Sequence, residues 1–223
     1  FCQTGIFRMP TQVLLIDDHP IFLEGVTVIL KDIVPDCEFF LANNGVEGIE
    51  HIDQHPGLDW IYIDVNLPDI NGIELLRVIT ERKVLTPVIL FSADINLDII
   101  DQAFKNHASG FLSKTFTRGI FEECMSEIEA GNTYLAPELK SDLKSYREGV
   151  LLERQNIENE LSKRQQETLL YVAKGYSNAE IASSLGITES TVKSHVSASI
   201  SAFSADNRTH CVAEARRLGF IPN

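Results

Sequence analysis

The side chains of this sequence that could do chemistry stand at the ends of short apolar runs. They are Asp17 and Asp18 after residues 13–16, Asp64 after residues 60–63, Ser92 after residues 88–91 and Lys114 after residues 110–112. Carboxylates held close together repel one another, so a cation among them would be stabilising. Mg²⁺ suits such a cluster because it takes carboxylate oxygens and keeps waters for a phosphate ligand. A lysine ammonium and a serine hydroxyl would complete a site for a phosphoryl group.

Those side chains share a site only if the apolar runs are strands of one parallel sheet. Five runs, at residues 13–16, 37–41, 60–63, 88–91 and 110–112, alternate with amphipathic stretches near 20–31, 45–54, 72–82, 96–106 and 117–130. Short continuous apolar runs predict strands buried on both faces, and strict alternation predicts an open α/β sheet. The carboxyl ends of parallel strands meet at the edge where such sheets bind ligands. Asn71 and Glu74 predict a capping box at the third helix.

After Tyr134 the strand pattern ends and a helical pattern begins. Pro137 suits a first helical turn, and an apolar seam follows it at helical spacing, which predicts a linker helix. The seam consists of Leu139, Leu143, Tyr146, Val150 and Ile157. We expect it to pack against a domain of the same chain, because a dimeric coiled coil needs several sustained heptads. The coiled coil is the alternative.

The last third of the chain predicts four short helices. Capping boxes are predicted at Ser162 with Gln165 and at Ser177 with Glu180. Gly186 supplies the left-handed residue of a tight turn, and Thr188 caps the helix that follows. A helix, a tight turn and a second helix make a helix-turn-helix arrangement.

The helix that follows Thr188 has two different faces. Its apolar face carries Val192, Val196, Ile200 and Phe203, and its polar face carries Ser190, Lys193, Ser194 and Ser197. Hydroxyl and ammonium groups on one exposed face can reach DNA base edges or phosphates. Thr191 is a further candidate for holding a phosphate.

Charge is unevenly distributed along the 223 residues, whose net charge is −13. Residues 1–134 hold 8 Lys/Arg against 21 Asp/Glu (−13), residues 135–160 hold 4 against 6 (−2), and residues 161–223 hold 7 against 5 (+2). This asymmetry predicts two modules with different partners. No apolar run approaches the roughly 18 residues of a membrane span. The four cysteines lack CxxC spacing, so we expect no membrane association and a reducing cytoplasm.

Residues 12–131 resemble two-component receiver domains. The resemblance rests on the Asp17-Asp18 pair, the segment 64–72, Ser92-Ala93, and Phe111 three residues before Lys114. It implies a flavodoxin-like (βα)5 fold with strand order 2-1-3-4-5. It also implies that Asp64 is the phosphoacceptor, supplied by a sensor histidine kinase.

The same resemblance implies roles for the neighbouring residues. Mg²⁺ would be bound by Asp17, Asp18, Asp64 and the backbone carbonyl of Asn66. Lys114 would stabilise the transferred phosphoryl group, Ser92 would turn to hydrogen-bond it, and Phe111 would swing inward behind Ser92. An aspartyl-phosphate hydrolase would carry an acid two residues after its nucleophile. This chain has Asn66 there, which cannot act as a general acid, so we expect no enzyme.

Residues 161–221 resemble the LuxR-type DNA-binding domain of the NarL/FixJ response regulators. The matching segments are 161–167, 175–182, 185–187, 191–196 and 207–209. The resemblance implies an all-α four-helix domain whose third helix enters the major groove. This sequence departs from the family at Ser201 and Ala202, where family members usually carry basic residues. Fewer positive charges predict weaker and less salt-sensitive DNA binding.

The sequence therefore predicts a receiver domain at 9–134, a helical linker at 135–160 and a LuxR-type helix-turn-helix domain at 161–223. The predicted function is that of a cytoplasmic, phosphorylation-regulated transcription factor that binds double-stranded promoter DNA as a homodimer on activation. Two alternatives stay open at this point. One is a regulator that acts through protein–protein interaction, and the other is a DNA binder that is independent of phosphorylation.

Overall fold

The structure is a computed structural model that describes residues 10–221 and divides into two compact units after Leu143. Cys2, and Met9 at which the predicted first domain begins, lie outside the described residues. Helix α6, Pro137–Glu160, runs across the division. The predicted boundaries at 134/135 and 160/161 therefore stay predictions. Among the described residues, no helix combines the length and apolar character that a membrane span requires.

The first unit is a five-stranded parallel sheet with helices between the strands. The strands are β1 Thr11–Ile16, β2 Cys37–Ala42, β3 Trp60–Asp64, β4 Val88–Ser92 and β5 Gly110–Ser113, and the helices are α1 Pro20–Ile33, α2 Gly45–Gln54, α3 Gly72–Glu81, α4 Leu97–Lys105 and α5 Arg118–Glu129. The strand order is β2-β1-β3-β4-β5, and every pair is parallel. This confirms the predicted flavodoxin-like architecture.

Burial along the strands explains why the apolar runs are continuous. Every residue of β3 and β4 is buried, as helices cover both faces of a parallel sheet. Strand β2 differs because it is an edge strand, where Leu41 is exposed and only Ala42 is buried. The expectation of burial on both faces was wrong for β2. The core beside the sheet includes stacked aromatic rings. The ring centroid of Tyr62 lies 5.6 Å from that of Phe91 and 5.5 Å from that of Phe121.

Side-chain caps fix where the helices of the first unit begin. Asn44 and Asn96 each accept a hydrogen bond from the first turn of α2 and α4. Asn71 caps α3 by accepting from the Ile73 N–H at 2.8 Å, but the capping box predicted with Glu74 is not formed. Glu74 instead accepts from Arg77, one turn along the exposed face, at 3.0 Å.

A short segment after α5 covers the outer edge of β5. The Tyr134 N–H donates to the Ser109 carbonyl at 2.9 Å, and the Tyr134 carbonyl accepts from the Phe111 N–H at 3.1 Å. The ring of Tyr134 is buried, and its hydroxyl donates to Glu123 at 3.2 Å. Pairing of this kind removes the exposed hydrogen-bonding groups of an edge strand. The sequence did not predict it.

The second unit is entirely helical. It comprises the C-terminal part of α6 with α7 Lys163–Ala173, α8 Asn178–Leu185, α9 Glu189–Ala202 and α10 Arg208–Arg217. Both capping boxes, at Ser162 and Ser177, are confirmed, and Gly186 ends α8 in the left-handed conformation with a φ of 64°. In the seam of α6, Ile157 is part of the core of this unit, and Val150 packs against that core.

The loop after β3 is packed too tightly to admit a side chain at Gly72. The Gly72 N–H donates to the Val65 carbonyl at 2.8 Å. A Cβ on Gly72 would lie 2.3 Å from the Asp64 carbonyl oxygen and 2.9 Å from the Cα of Val65. Both neighbours are backbone atoms of the strand end that carries Asp64, so neither can move aside as a side chain would.

We expect Gly72→Ala to lower the free energy of unfolding of the first unit by about 1–3 kcal/mol, because it forces this strand end to shift. Gly25→Ala is the matched control. A Cβ there, in the middle of α1, meets nothing within 4 Å, so alanine should stabilise the helix by about 0.5–1 kcal/mol. Urea denaturation followed by circular dichroism measures both. Equal effects of the two substitutions would contradict the steric argument.

Candidate functional site

Two buried carboxylates and one lysine meet at the carboxyl end of the sheet. Asp17 follows β1, Asp64 ends β3 and Lys114 follows β5. The side chains of Asp17 and Asp64 are 2 % and 1 % exposed. The Lys114 Nζ lies 2.7 Å from Asp17 Oδ2 and 2.8 Å from Asp64 Oδ2. Three strand ends therefore supply one paired charge cluster.

His19 extends this cluster toward solvent, which the sequence did not predict. Its Nδ1 lies 3.0 Å from Asp17 Oδ1 and 2.8 Å from Asp18 Oδ1. Its backbone N–H also donates to Asp17 Oδ1, at 2.8 Å. These contacts hold both carboxylates in fixed orientations. The signal for His19 was only its position directly after the aspartate pair.

The protonation equilibria of Asp64 and Lys114 reflect burial and mutual pairing. Burial raises the pKa of Asp64, the hydrogen bond from Lys114 lowers it, and the charge of Asp17 raises it, so that the pKa lies above its ordinary value. Burial alone would lower the pKa of Lys114, but its bonds to the two carboxylates outweigh burial and raise that pKa. The lysine is therefore firmly cationic between its two partners.

The donor set of the cluster fits a hard divalent cation. One ligand atom from each of Asp17, Asp18, His19 and Asp64 lies within 4.8 Å of the others. Asp64 Oδ1 is buried and accepts no hydrogen bond of standard geometry from the described part of the chain. Mg²⁺ takes carboxylate oxygens rather than imidazole, so the three aspartates, and not His19, are the fitting ligands.

The other predicted residues of this site are Asn66, Ser92 and Phe111. Asn66 lines a cavity of about 570 Å³ together with Asp64 and Lys114. The Ser92 hydroxyl is buried, donates to the Asp94 carbonyl at 2.6 Å and accepts from the Asp94 N–H at 3.2 Å. Phe111 is 1 % exposed and is not among the residues that line this cavity.

Two aromatic rings of the cavity were not predicted from the sequence. Phe22 of α1 lies beneath the Lys114 ammonium, with the Nζ 4.9 Å from the ring centroid. Phe116 packs edge-on against Phe22, with ring centroids 6.4 Å apart. A cation above a ring face is attracted by the ring quadrupole. Because this contact joins residues 92 positions apart in the sequence (22 and 114), local spacing carried no signal for it.

The loop between β3 and α3 is fixed to helix α2 by one aspartate. Asp69 Oδ1 accepts from the Gly45 N–H at 2.9 Å, and Asp69 Oδ2 accepts from the Val46 N–H at 3.0 Å. Burial opposes the charge of Asp69, but these backbone bonds outweigh it and lower its pKa. Negative charge at a helix N-terminus is favourable. The loop that carries Asn66 is thus attached to α2 through Asp69 and closed at its base by the hydrogen bond from Gly72 to Val65.

Helix α9 is the second candidate site, and it divides into faces as predicted. Val192 is fully buried, and Phe203 directly after the helix is 5 % exposed. The predicted DNA-contacting side chains Ser190, Lys193, Ser194 and Ser197 are all exposed, and Thr191 is half-buried. Thr191 donates its N–H to the Thr188 hydroxyl at 3.1 Å, which engages part of Thr191 in the helix cap.

Some of the positive charge in the second unit is engaged in holding the fold. The Arg164 guanidinium donates to the Leu185 carbonyl at 2.7 Å, and Arg208 donates to the Tyr176 carbonyl. Arg217 pairs with Glu153 and Glu214. Lys193 is exposed on the face of α9 opposite the core, so its charge is accessible to an external partner.

Two family models match the chain, one over each unit. The model of the response regulator receiver domain matches residues 13–124. The model of bacterial regulatory proteins of the luxR family matches residues 159–215. The first match contains the acidic cluster, and the second contains α7, α8 and α9.

Several known proteins match this chain over most of its length. The chain is 30 % identical to the glycerol metabolism activator of Pseudomonas putida, over 94 % of this chain and 96 % of that protein. It is 32 % identical to the nitrate/nitrite response regulator protein NarL of Escherichia coli K12, over 84 % and 86 %. The crystal structure of the response regulator ChrA, of a heme-sensing two-component system, superposes with a TM-score of 0.51 at 28 % identity, over 96 % of this chain and 100 % of that one.

The raised pKa of Asp64 predicts that its ionised form costs stability. A carboxyl whose pKa is higher in the folded than in the unfolded state loses stability as pH rises from the ordinary value of 3.8 through the raised one. At pH 7 the cost is fully present, so Asp64→Asn should raise the melting temperature, by about 2–4 °C for each kcal/mol regained. The gain should shrink as the pH is lowered through the same window.

Thermal unfolding of the full chain in buffer with a chelator measures this difference. Asp53→Asn is the matched control, since Asp53 is exposed and pairs with Arg82 at the surface, where an ion pair contributes little. A lower melting temperature for Asp64→Asn at pH 7 would contradict the conclusion that the ionised Asp64 carboxylate costs stability.

Proposed function

The chain belongs to the response regulators that join a receiver domain to a luxR-family DNA-binding domain, and from this premise we propose that Asp64 is its phosphoacceptor. Such a pair of domains makes it a two-component transcription regulator. The observation that carries the proposal is the lysine held between Asp17 and Asp64 at the end of the sheet. The donor is a phosphohistidine of a sensor histidine kinase.

Transfer forms one bond and breaks another. An Asp64 carboxylate oxygen attacks the phosphorus of the phosphohistidine, an O–P bond forms, and the N–P bond breaks with its electron pair returning to the imidazole. Catalysis of phosphoryl transfer consists mainly of positioning and of stabilising the charge on the equatorial oxygens. Lys114, already 2.8 Å from Asp64 Oδ2, supplies positive charge to one of those oxygens.

Asp17, Asp18, Asp64 and the backbone carbonyl of Asn66 are the groups we assign to Mg²⁺. When bound there, the ion neutralises charge on the acids and on the incoming phosphoryl oxygens. The buried Asp64 Oδ1, which accepts no hydrogen bond of standard geometry from the described residues, and the closeness of the three aspartates support this assignment. His19 orients Asp17 and Asp18 from the solvent side.

Ser92 and Phe111 are the groups we assign to the response that follows phosphorylation. The Ser92 hydroxyl exchanges its bond to the Asp94 carbonyl for one to a phosphoryl oxygen. This exchange breaks only a contact between residues two positions apart. Phe111 on β5 then moves into the space behind Ser92 and alters the surface beside β5, where we place the contact of an activated homodimer. Phosphorylation thereby shifts an existing equilibrium.

The output of this switch is binding of promoter DNA in the cytoplasm. We assign α9 to the major groove, with Ser190, Thr191, Lys193, Ser194 and Ser197 as the side chains that contact DNA. The four residues other than Thr191 are exposed on the face opposite Val192, and Thr191 is half-buried. The exposure of these four side chains supports the assignment. The two rivals are a regulator that docks on protein and a DNA binder that ignores phosphate. Comparing DNA binding of the parent and of Asp64→Asn, with and without acetyl phosphate, separates all three.

We expect Asp64→Asn to abolish phosphorylation by acetyl phosphate, because the amide has no anionic oxygen to attack phosphorus. Intact-mass spectrometry should detect one added phosphoryl group on the parent and none on the variant. Asp53→Asn, which removes the same charge from an exposed position of α2, should be labelled like the parent. Full labelling of Asp64→Asn would refute the phosphoacceptor assignment.

We expect Lys193→Ala to weaken DNA binding and to reduce its salt dependence. Loss of one phosphate-neutralising charge lowers the magnitude of the log–log salt slope by about 0.9. Lys163→Ala is the control, since Lys163 is exposed at the start of α7. Fluorescence anisotropy at several salt concentrations, with a duplex selected by the parent protein, measures both. An unchanged slope for Lys193→Ala would remove Lys193 from the interface.

A further inference from the structure

A buried hydroxyl on α7 contacts the middle of α9. Thr168 is 0 % exposed, and its Oγ1 lies 2.8 Å from the Arg164 carbonyl and 3.0 Å from His195 Nδ1. His195 lies on α9 between Ser194 and Val196, away from the exposed polar face. Neither Thr168 nor His195 belongs to the predicted DNA contacts, and the link spans 27 residues of sequence.

The hydrogen-bond assignment at Thr168 decides which nitrogen of His195 carries a proton. We assign the single hydroxyl hydrogen of Thr168 to the Arg164 carbonyl, which can only accept and lies at 2.8 Å. The same oxygen can then only accept from His195, which requires a proton on Nδ1. A buried hydroxyl whose partner is removed costs free energy. The pair therefore ties the middle of α9 to α7 through one buried hydrogen bond.

The same turn of α7 also holds the end of α8. Arg164, one turn before Thr168, donates to the carbonyl of Leu185, the last residue of α8 before the Gly186 turn. One turn of α7 thus hydrogen-bonds both helices of the helix-turn-helix, at the end of the first and at the middle of the second. Packing of α7 against α9 and α8 accompanies these bonds.

We infer that Thr168 and His195 are positioning residues for DNA reading, which set the rotation of the recognition helix without contacting DNA themselves. The inference rests on the proposed DNA-binding function. A rotation of α9 displaces side chains that read base edges, whereas attraction to the phosphate backbone tolerates small displacements. Loss of the hydrogen bond should therefore reduce specific binding and leave non-specific binding unchanged.

The experiment uses the full chain with isosteric substitutions. Thr168→Val keeps the shape and removes the hydroxyl, and Thr168→Ser keeps the hydroxyl. His195→Asn places an N–H donor near the position of Nδ1, and His195→Gln places its donor near Nε2. We expect Thr168→Val and His195→Gln to bind the selected duplex about tenfold more weakly, the cost of one misaligned base contact. Thr168→Ser and His195→Asn should bind like the parent.

Three readouts distinguish positioning from stability. Affinity is measured well below the melting temperature of each variant, for the selected duplex and for a duplex of random sequence. The nitrogen NMR spectrum of His195 should give the Nδ1-protonated ring in the parent and a changed ring state in Thr168→Val. A lower melting temperature with unchanged specific affinity would reduce the pair to a structural role and overturn the inference.

The outcomes also separate this inference from the function on which it rests. If the parent selects no duplex, the proposed DNA binding fails, and the positioning role fails with it. If the parent binds its duplex and Thr168→Val binds equally well, only the positioning role fails. Equal loss for the selected and the random duplex would also overturn it, because non-specific binding depends on charge and not on rotation of α9.

Discussion

The Lys114 ammonium is the counterion that allows two carboxylates to remain buried side by side. Asp17 and Asp64 are almost inaccessible to solvent, and an unpaired charge in such a place costs several kcal/mol. Lys114 follows β5, while the acids follow β1 and β3. The pairing therefore exists only when three strands that are distant in sequence end at the same edge. The order β2-β1-β3-β4-β5 satisfies this condition, so the fold and the charge cluster depend on each other.

The strands of the first unit could be predicted from its sequence, because each strand coincides with a local run of apolar residues. The five predicted runs coincide with strands β1–β5 to within two residues at either end. Contacts between distant residues could not be predicted in this way. Two such contacts are the pairing of Tyr134 with β5 and the position of the Phe22 ring beneath Lys114. Neither corresponds to a local sequence pattern. Asn71 caps its helix, but Glu74 pairs with Arg77 on the surface and does not complete the capping box. Both bonds of Glu74 would be local, so residue spacing does not decide between them.

The number of positive charges in the second unit exceeds the number that the folded unit offers to an external partner. Arg164 and Arg208 contribute to the net charge of +2 of residues 161–223 (7 Lys/Arg against 5 Asp/Glu), yet both guanidinium groups are directed at backbone carbonyls of the same unit. Lys193 differs from them in standing exposed on α9. Net charge therefore overstates the cationic surface offered to a polyanion. The two capping boxes of this unit and its Gly186 turn are local features, which the sequence predicts correctly here.

The two sides of the cavity beside Asp64 differ in what holds them in place. The β3–α3 loop is attached to α2 through Asp69 and is packed against its own strand at Gly72. On the other side, the hydrogen bonds of the Ser92 hydroxyl to the described residues all go to Asp94, two positions further along its own turn. The first side is thus held by more side-chain and packing contacts than the second. A group that fills the cavity therefore meets less resistance from the Ser92–Asp94 turn than from the β3–α3 loop.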